Sequence, residues 1–92
     1  MKYTIKFEEG TLADFQKTIE RYEMVSDNLA NRFHKEFWRK MDYIKENPLR
    51  HQIRYREIRI AHVKFFPFGI HFLIDGTTIR VFKILHHKQY YK

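Results

Sequence analysis

Hydrophobic and polar positions alternate at the start of the chain. Tyr3, Ile5 and Phe7 share one parity and Lys2, Thr4 and Lys6 the other, the period of a half-buried strand over residues 2–7. Gly10 breaks this alternation, and the period then lengthens. Leu12, Phe15, Ile19 and Tyr22 recur at spacings of three and four with charges between them, which predicts a first helix opened by Thr11 and Asp14 as a variant capping box. After Val25 the run Ser26-Asp27-Asn28 supplies fresh N-cap residues. Ala30, Phe33, Phe37, Met41 and Ile44 then carry a second helix to Asn47-Pro48, where the residue before proline is steered away from helical geometry. The link between the two is only a few residues long, so the helices are predicted to pack antiparallel and turn a shared aromatic stripe toward a sheet, with Trp38 just off that stripe.

Beyond Pro48 the period falls to two. Tyr55-Arg56-Glu57-Ile58-Arg59-Ile60 reads as one alternating strand that Val63 to Phe66 continues or bulges, and Phe66-Pro67-Phe68-Gly69 marks a turn. Phe68, Ile70, Phe72 and Ile74 share the face of the next strand, Asp75-Gly76 is a tight-hairpin dipeptide, and Ile79 to Leu85 returns. That last strand is apolar at both parities, with Ile79, Val81 and Leu85 on one and Phe82 and Ile84 on the other, as a central strand covered on both sides would be. The tail from His86 to Lys92 has no period. The order predicts an α+β fold: an N-terminal strand, an antiparallel helical hairpin, then a three- to four-stranded antiparallel sheet whose second face is free for function.

Ninety-two residues make one domain spanning 1–92, because a chain this short buries only about 60 to 65% of its unfolded surface and holds no second core. The chain has no cysteine, so disulfides and thiolate metal sites are excluded and stability falls to the packing of nine Phe, six Tyr and one Trp. Charge at the N-terminus argues against a leader peptide, and no stretch is apolar enough to span a membrane, so the expected location is the cytoplasm. Charge changes the picture most. Residues 1–46 hold nine bases and nine acids, whereas residues 47–92 hold nine bases against only Glu57 and Asp75, so the second half carries the whole +7. A field that lopsided attracts nucleic acid, an acidic protein segment or an anionic membrane face. Arg54, Arg56, Arg59, Arg80, Lys83 and Lys88 are the candidate partner-binding residues.

Enzyme motifs are sparse: no phosphate loop, no HExxH and no nucleophile elbow occur. His86-His87 is the one adjacent histidine pair, and neighbours on an extended strand point to opposite faces, so no metal site or other cofactor is expected. Nor is a small-molecule substrate. Six short elements, in order, do resemble a known family. They are Asn28-Leu29-Ala30-Asn31-Arg32-Phe33, Glu46-Asn47-Pro48, Tyr55-Arg56-Glu57-Ile58-Arg59, Phe66-Pro67-Phe68-Gly69-Ile70 and Ile84-Leu85-His86, together with the Leu12 to Tyr22 helix. With the first strand they cover nearly the whole chain, which resembles a toxin of the RelE/ParE superfamily and within it the ParE-like plasmid-stabilisation branch.

The resemblance implies a growth-inhibiting toxin paired with a small antitoxin whose acidic or amphipathic segment wraps it. It allows two targets. ParE-type members bind DNA gyrase and need an interface only. RelE-type members cleave mRNA on the ribosome without metal and need a base, an acid and cations for the phosphorane-like charge. For that chemistry the chain offers His86 as acid or base, Arg56, Arg59 and Lys64 for phosphate charge, and Tyr90 or Tyr91 to stack or donate a proton. Where RelE-type nucleases carry an arginine directly after the aromatic on the strand, this chain has Gly69 after Phe68. Losing one such preorganised cation typically costs about 100-fold to 1000-fold in rate, so the gyrase-binding reading is favoured.

Overall fold

In a computed structural model, which describes residues 2–87, the chain runs β1 (Thr4–Phe7), α1 (Thr11–Glu23), α2 (Asp27–Glu46), a 3-10 turn (Pro48–Arg50), β2 (Ile53–Tyr55), β3 (Ile58–His62), β4 (Phe68–Asp75) and β5 (Thr78–His86). The strands form one five-stranded sheet in the order β1-β5-β4-β3-β2. β1 pairs parallel to β5, with Ile5 opposite Ile79 and Phe7 opposite Val81, and the other pairings are antiparallel. This is the expected α+β arrangement. The helical crossover between β1 and the rest of the sheet makes the parallel pairing possible, since parallel neighbours need a long connection.

Both helices lie on one sheet face. Phe33, Phe37 and Ile44 of α2 are fully buried against Ile70, Phe72, Ile79 and Val81, and Phe15 of α1 closes the same core with its ring centroid 4.4 Å from that of Phe37. Burying each such side chain is worth about 2 to 3 kcal/mol. Trp38 joins from the side, edge-on to Phe37 at 5.0 Å and to Phe7 at 5.9 Å. Of the predicted α1 stripe only Phe15 is buried; Ile19 and Tyr22 are half-buried and Leu12 is exposed. Ser26 caps α2 as its sequence suggests, its hydroxyl accepting from the Leu29 N–H at 3.0 Å.

Four local readings change. First, Gly10, in the left-handed region at φ 89°, caps α1, and Thr11 lies inside the helix. The Thr11 hydroxyl is fully buried instead, 2.8 Å from the Phe82 carbonyl and 3.1 Å from that of Val81. Second, those carbonyls belong to a bulge: His71 pairs with Lys83 and Phe72 with Val81, leaving Phe82 as the extra residue on β5. The bulge switches parity, so Ile79, Val81 and Ile84 all face the core, whereas Leu85, paired with Gly69, faces away. The apolar residues at both parities therefore record a bulge, not a strand covered on both sides.

Third, residues 55–60 are a hairpin rather than one strand. Arg56 and Glu57 form its two-residue turn at φ 43° and φ 69°, and Tyr55 pairs with Ile58. A two-residue hairpin loop requires positive φ, for which Asn and Gly are the usual signals. Arg-Glu carries no such signal. Fourth, β3 ends at His62, and residues 63–67 form the connection to β4, closed by the Val63 N–H donating to the Phe68 carbonyl at 2.9 Å.

Candidate functional site

Register assigns the residues of the sheet to its two faces. Ala61, Ile70, Phe72 and Val81 face the helices, so Tyr55, Ile58, Ile60, His62, Gly69, His71, Leu73, Lys83 and Leu85 belong to the opposite face. No helix of the described residues packs there, and the face carries a polar cluster that periodicity alone did not reveal. The Tyr55 hydroxyl and His71 Nδ1 are hydrogen-bonded at 2.8 Å. His62 Nδ1 and His87 Nε2 are hydrogen-bonded at 2.9 Å, their rings perpendicular.

The surroundings of His71 and His62 disfavour their protonated forms. His71 is almost fully buried, and burial, reinforced by Lys83 and His62, pushes its pKa down to about 4. His62 is exposed at its rim, but partial desolvation of its ring, then His87, Arg54 and Lys40, hold it below the ordinary histidine value. On the helix side, His51 sits edge-on to Phe72 at 5.6 Å and to Tyr43 at 5.7 Å, and burial followed by Lys40, Arg59 and His62 lowers its pKa against the opposing pull of the Asn47 backbone carbonyl, which accepts from the protonated ring.

The cations proposed from sequence fall into separate environments. Arg59, opposite Phe72 and therefore on the helix side, donates to the His51 carbonyl at 2.5 Å and ties the segment before β2 to β3. Arg80 is ion-paired with Glu8 at the end of β1, its Nε donating at 2.6 Å, and lies 3.8 Å from Asp75. Arg54 and Arg56, on β2 and its turn, are exposed at the sheet edge, and Lys83 is exposed on the open face beside His71. Lys64 lies in the β3–β4 connection over the Phe65 ring. Lys88, Tyr90 and Tyr91 lie outside the described residues.

His86 turns the other way from His87. Its ring is edge-on to Phe68 at 5.3 Å, and it lines an open groove of about 440 Å³ with Phe68, Ile84 and Leu85 of the sheet and Asp14, Lys17, Thr18 and Arg21 of α1. His86 and Arg59 do not converge. His86 is opposite Phe68 and Arg59 opposite Phe72, on strands flanking β4, so about 13 Å of strand and about 10 Å of sheet width separate their backbones.

Gly69, the residue standing where a nuclease would carry arginine, has a physical reason to be glycine. It is buried on the open face, and a Cβ there would come 2.8 Å from Ile60 Cγ2, with His71 Nε2 and His62 Nδ1 at 3.8 and 3.9 Å. Any side chain would displace Ile60. No group of three or more His, Asp or Glu side chains among the described residues is placed to hold a metal ion, and no described helix is long and apolar enough to cross a membrane.

Comparison with known proteins supplies the family. The fold matches a solved chain titled "Chromosomal ParDE TA system from P. aeruginosa" with a TM-score of 0.80, at 15% identity over 92% of this chain and 96% of the other. Among curated protein sequences none matches significantly. The sequence model of the family described as "ParE toxin of type II toxin-antitoxin system, parDE" matches residues 5–91. From its first strand to its tail, the chain belongs to the ParE toxin family of type II toxin-antitoxin systems.

Proposed function

We propose that the protein arrests growth by binding DNA gyrase, and that a cognate antitoxin with an acidic segment holds it inactive in the cytoplasm. Membership of the ParE family supports the toxin role and the antitoxin partner. The observation that carries the choice of target is the occupied space at Gly69. Ile60 fills the volume into which a phosphate-stabilising side chain would project, and two of the other nuclease candidates, His86 and Arg59, are held far apart. Chemistry on a phosphodiester needs its acid, base and cation within hydrogen-bond reach of one reacting group. A binding inhibitor needs none of that. It needs a surface, and the exposed cations Arg54, Arg56 and Lys83 of the sheet edge and open face suit an acidic one.

Expression of the chain without an antitoxin, followed by two assays on the purified protein, tests this. Growth stops, gyrase supercoiling is inhibited in proportion to toxin bound, and ribosome-associated mRNA stays intact. Intact supercoiling accompanied by new mRNA ends would reassign the protein to the ribosome-dependent nucleases, and normal growth would remove the toxin role.

A further inference from the structure

The perpendicular histidine pair on the open face is the described site whose chemistry the binding role does not use. His62 closes β3, where Gly69 of β4 fixes its backbone, and His87 follows β5, where its N–H donates to the Pro67 carbonyl at 2.9 Å. The two residues are 25 apart in sequence, yet Nδ1 of one and Nε2 of the other are 2.9 Å apart. Both rings are therefore brought together by backbone already held in place, not by chance contact of two long flexible side chains.

We propose that His62 and His87 form a two-imidazole site for a tetragonal transition-metal ion, Cu(II) first and Ni(II) second, with water completing the coordination. The separation selects the geometry. Metal–imidazole bonds are about 2.0 Å long, so two nitrogens in adjacent corners of a square lie about 2.8 Å apart, whereas a tetrahedral ion such as Zn(II) holds them about 3.3 Å apart. The observed 2.9 Å, now the length of a hydrogen bond between the rings, is nearer the spacing of the square than that of the tetrahedron. Both rings have to turn so that their lone pairs meet at the metal instead of sharing a proton. His62 is exposed and has room to do so.

The surroundings support the same ion. The two atoms that meet are imidazole nitrogens, donors that suit Cu(II) and Ni(II). Arg54 and Lys40 also repel a dication, which excludes ions bound mainly by charge, such as Mg(II) and Ca(II), and leaves those that form strong nitrogen bonds. His71 stays out of the set, because its ring is buried and its Nδ1 is engaged by Tyr55. A bound ion would close a loop between the end of β3 and the start of the tail, fixing where the chain leaves the sheet.

The test uses the full chain without a polyhistidine tag, titrated with Cu(II), Ni(II) and Zn(II) at neutral pH. Paramagnetic resonance reads the number of coordinated nitrogens, and competition with a chelator reads affinity. One equivalent of Cu(II) should bind with two imidazole nitrogens, more tightly than Ni(II) and Zn(II). His62→Gln and His87→Gln should each weaken it by about 100-fold, while His34→Gln, on the exposed side of α2, leaves it unchanged. Thermal melts in chelator show whether each variant is folded as the parent is. Equal binding by the His62→Gln and His87→Gln variants, equal loss on His34→Gln, or Zn(II) bound more tightly than Cu(II) would each overturn the site and leave only adventitious surface binding.

Discussion

His71 shows how one residue couples the open face to stability. An ordinary imidazole half-protonates near pH 6.5, and this one, buried beside Lys83, does so only at about 4. In that window the unfolded chain binds the proton and the folded chain does not. The neutral ring thus contributes stability that is fully present above pH 6.5 and declines as pH falls toward 4. At about 1.4 kcal/mol per pKa unit, the loss over the whole window is on the order of 3 kcal/mol, and His62 and His51 shift in the same direction. Urea unfolding at pH 7 and near pH 4 should show the parent losing about 2 to 3 kcal/mol more than His71→Gln. Equal losses in both proteins would mean that the ring is not held neutral. Nothing in the sequence announced this: His71 stands between Ile70 and Phe72 in an apolar run, and only the Tyr55 hydroxyl, brought back by the hairpin, makes its burial legible.

Among the elements, both helices and the β4–β5 hairpin were legible because each rests on a local signal, a period near 3.6 or a glycine-containing turn dipeptide. The loop itself is Gly76-Thr77, one residue later than Asp75-Gly76, with Asp75 paired to Thr78. The β2–β3 hairpin was not, because Arg56 and Glu57 occupy left-handed backbone without the residues that normally mark it. Ile58-Arg59-Ile60 alternates, but Tyr55 is out of phase with it, and that slip of one position at Arg56-Glu57 was the only local sign of the turn. The β5 bulge failed for a similar reason: its evidence is a tertiary partner, the Thr11 hydroxyl on the Phe82 carbonyl, which no window of sequence contains. The turn supplies a direct check. Left-handed geometry costs a residue with a Cβ roughly 1 to 2 kcal/mol, and glycine removes that while adding some unfolded-state entropy. Glu57→Gly should therefore raise unfolding stability by about 0.5 to 1 kcal/mol, whereas the β-branched Glu57→Val should lower it. A gain for valine would show that the turn is not the one described.

On the scale of the whole molecule, the charge imbalance read from the sequence acquires a direction. Arg59 and Arg80, two of the nine bases in the second half, are occupied holding the fold, one on the His51 carbonyl and one on Glu8. Arg54 and Arg56 stand at the β2 edge and Lys83 on the open face, away from the helical layer and its mixed charges. Cations at the rim of an interface act mainly on the rate of encounter, because their field reaches an approaching partner before any contact forms. Raising salt from about 0.01 M to about 0.15 M shortens the screening length from about 30 Å to about 8 Å. If gyrase is the partner as proposed, association with it should slow steeply over that range, and Arg54→Glu combined with Lys83→Glu should slow it by about tenfold or more at low salt while flattening the salt dependence. Arg80→Glu should act differently. By placing a second carboxylate beside Glu8 it should lower stability more than it changes the salt slope. If instead the Arg80 variant flattens the slope and the Arg54/Lys83 pair does not, the partner approaches the β1 edge of the open face, and the β2 edge assigned to binding is the wrong one.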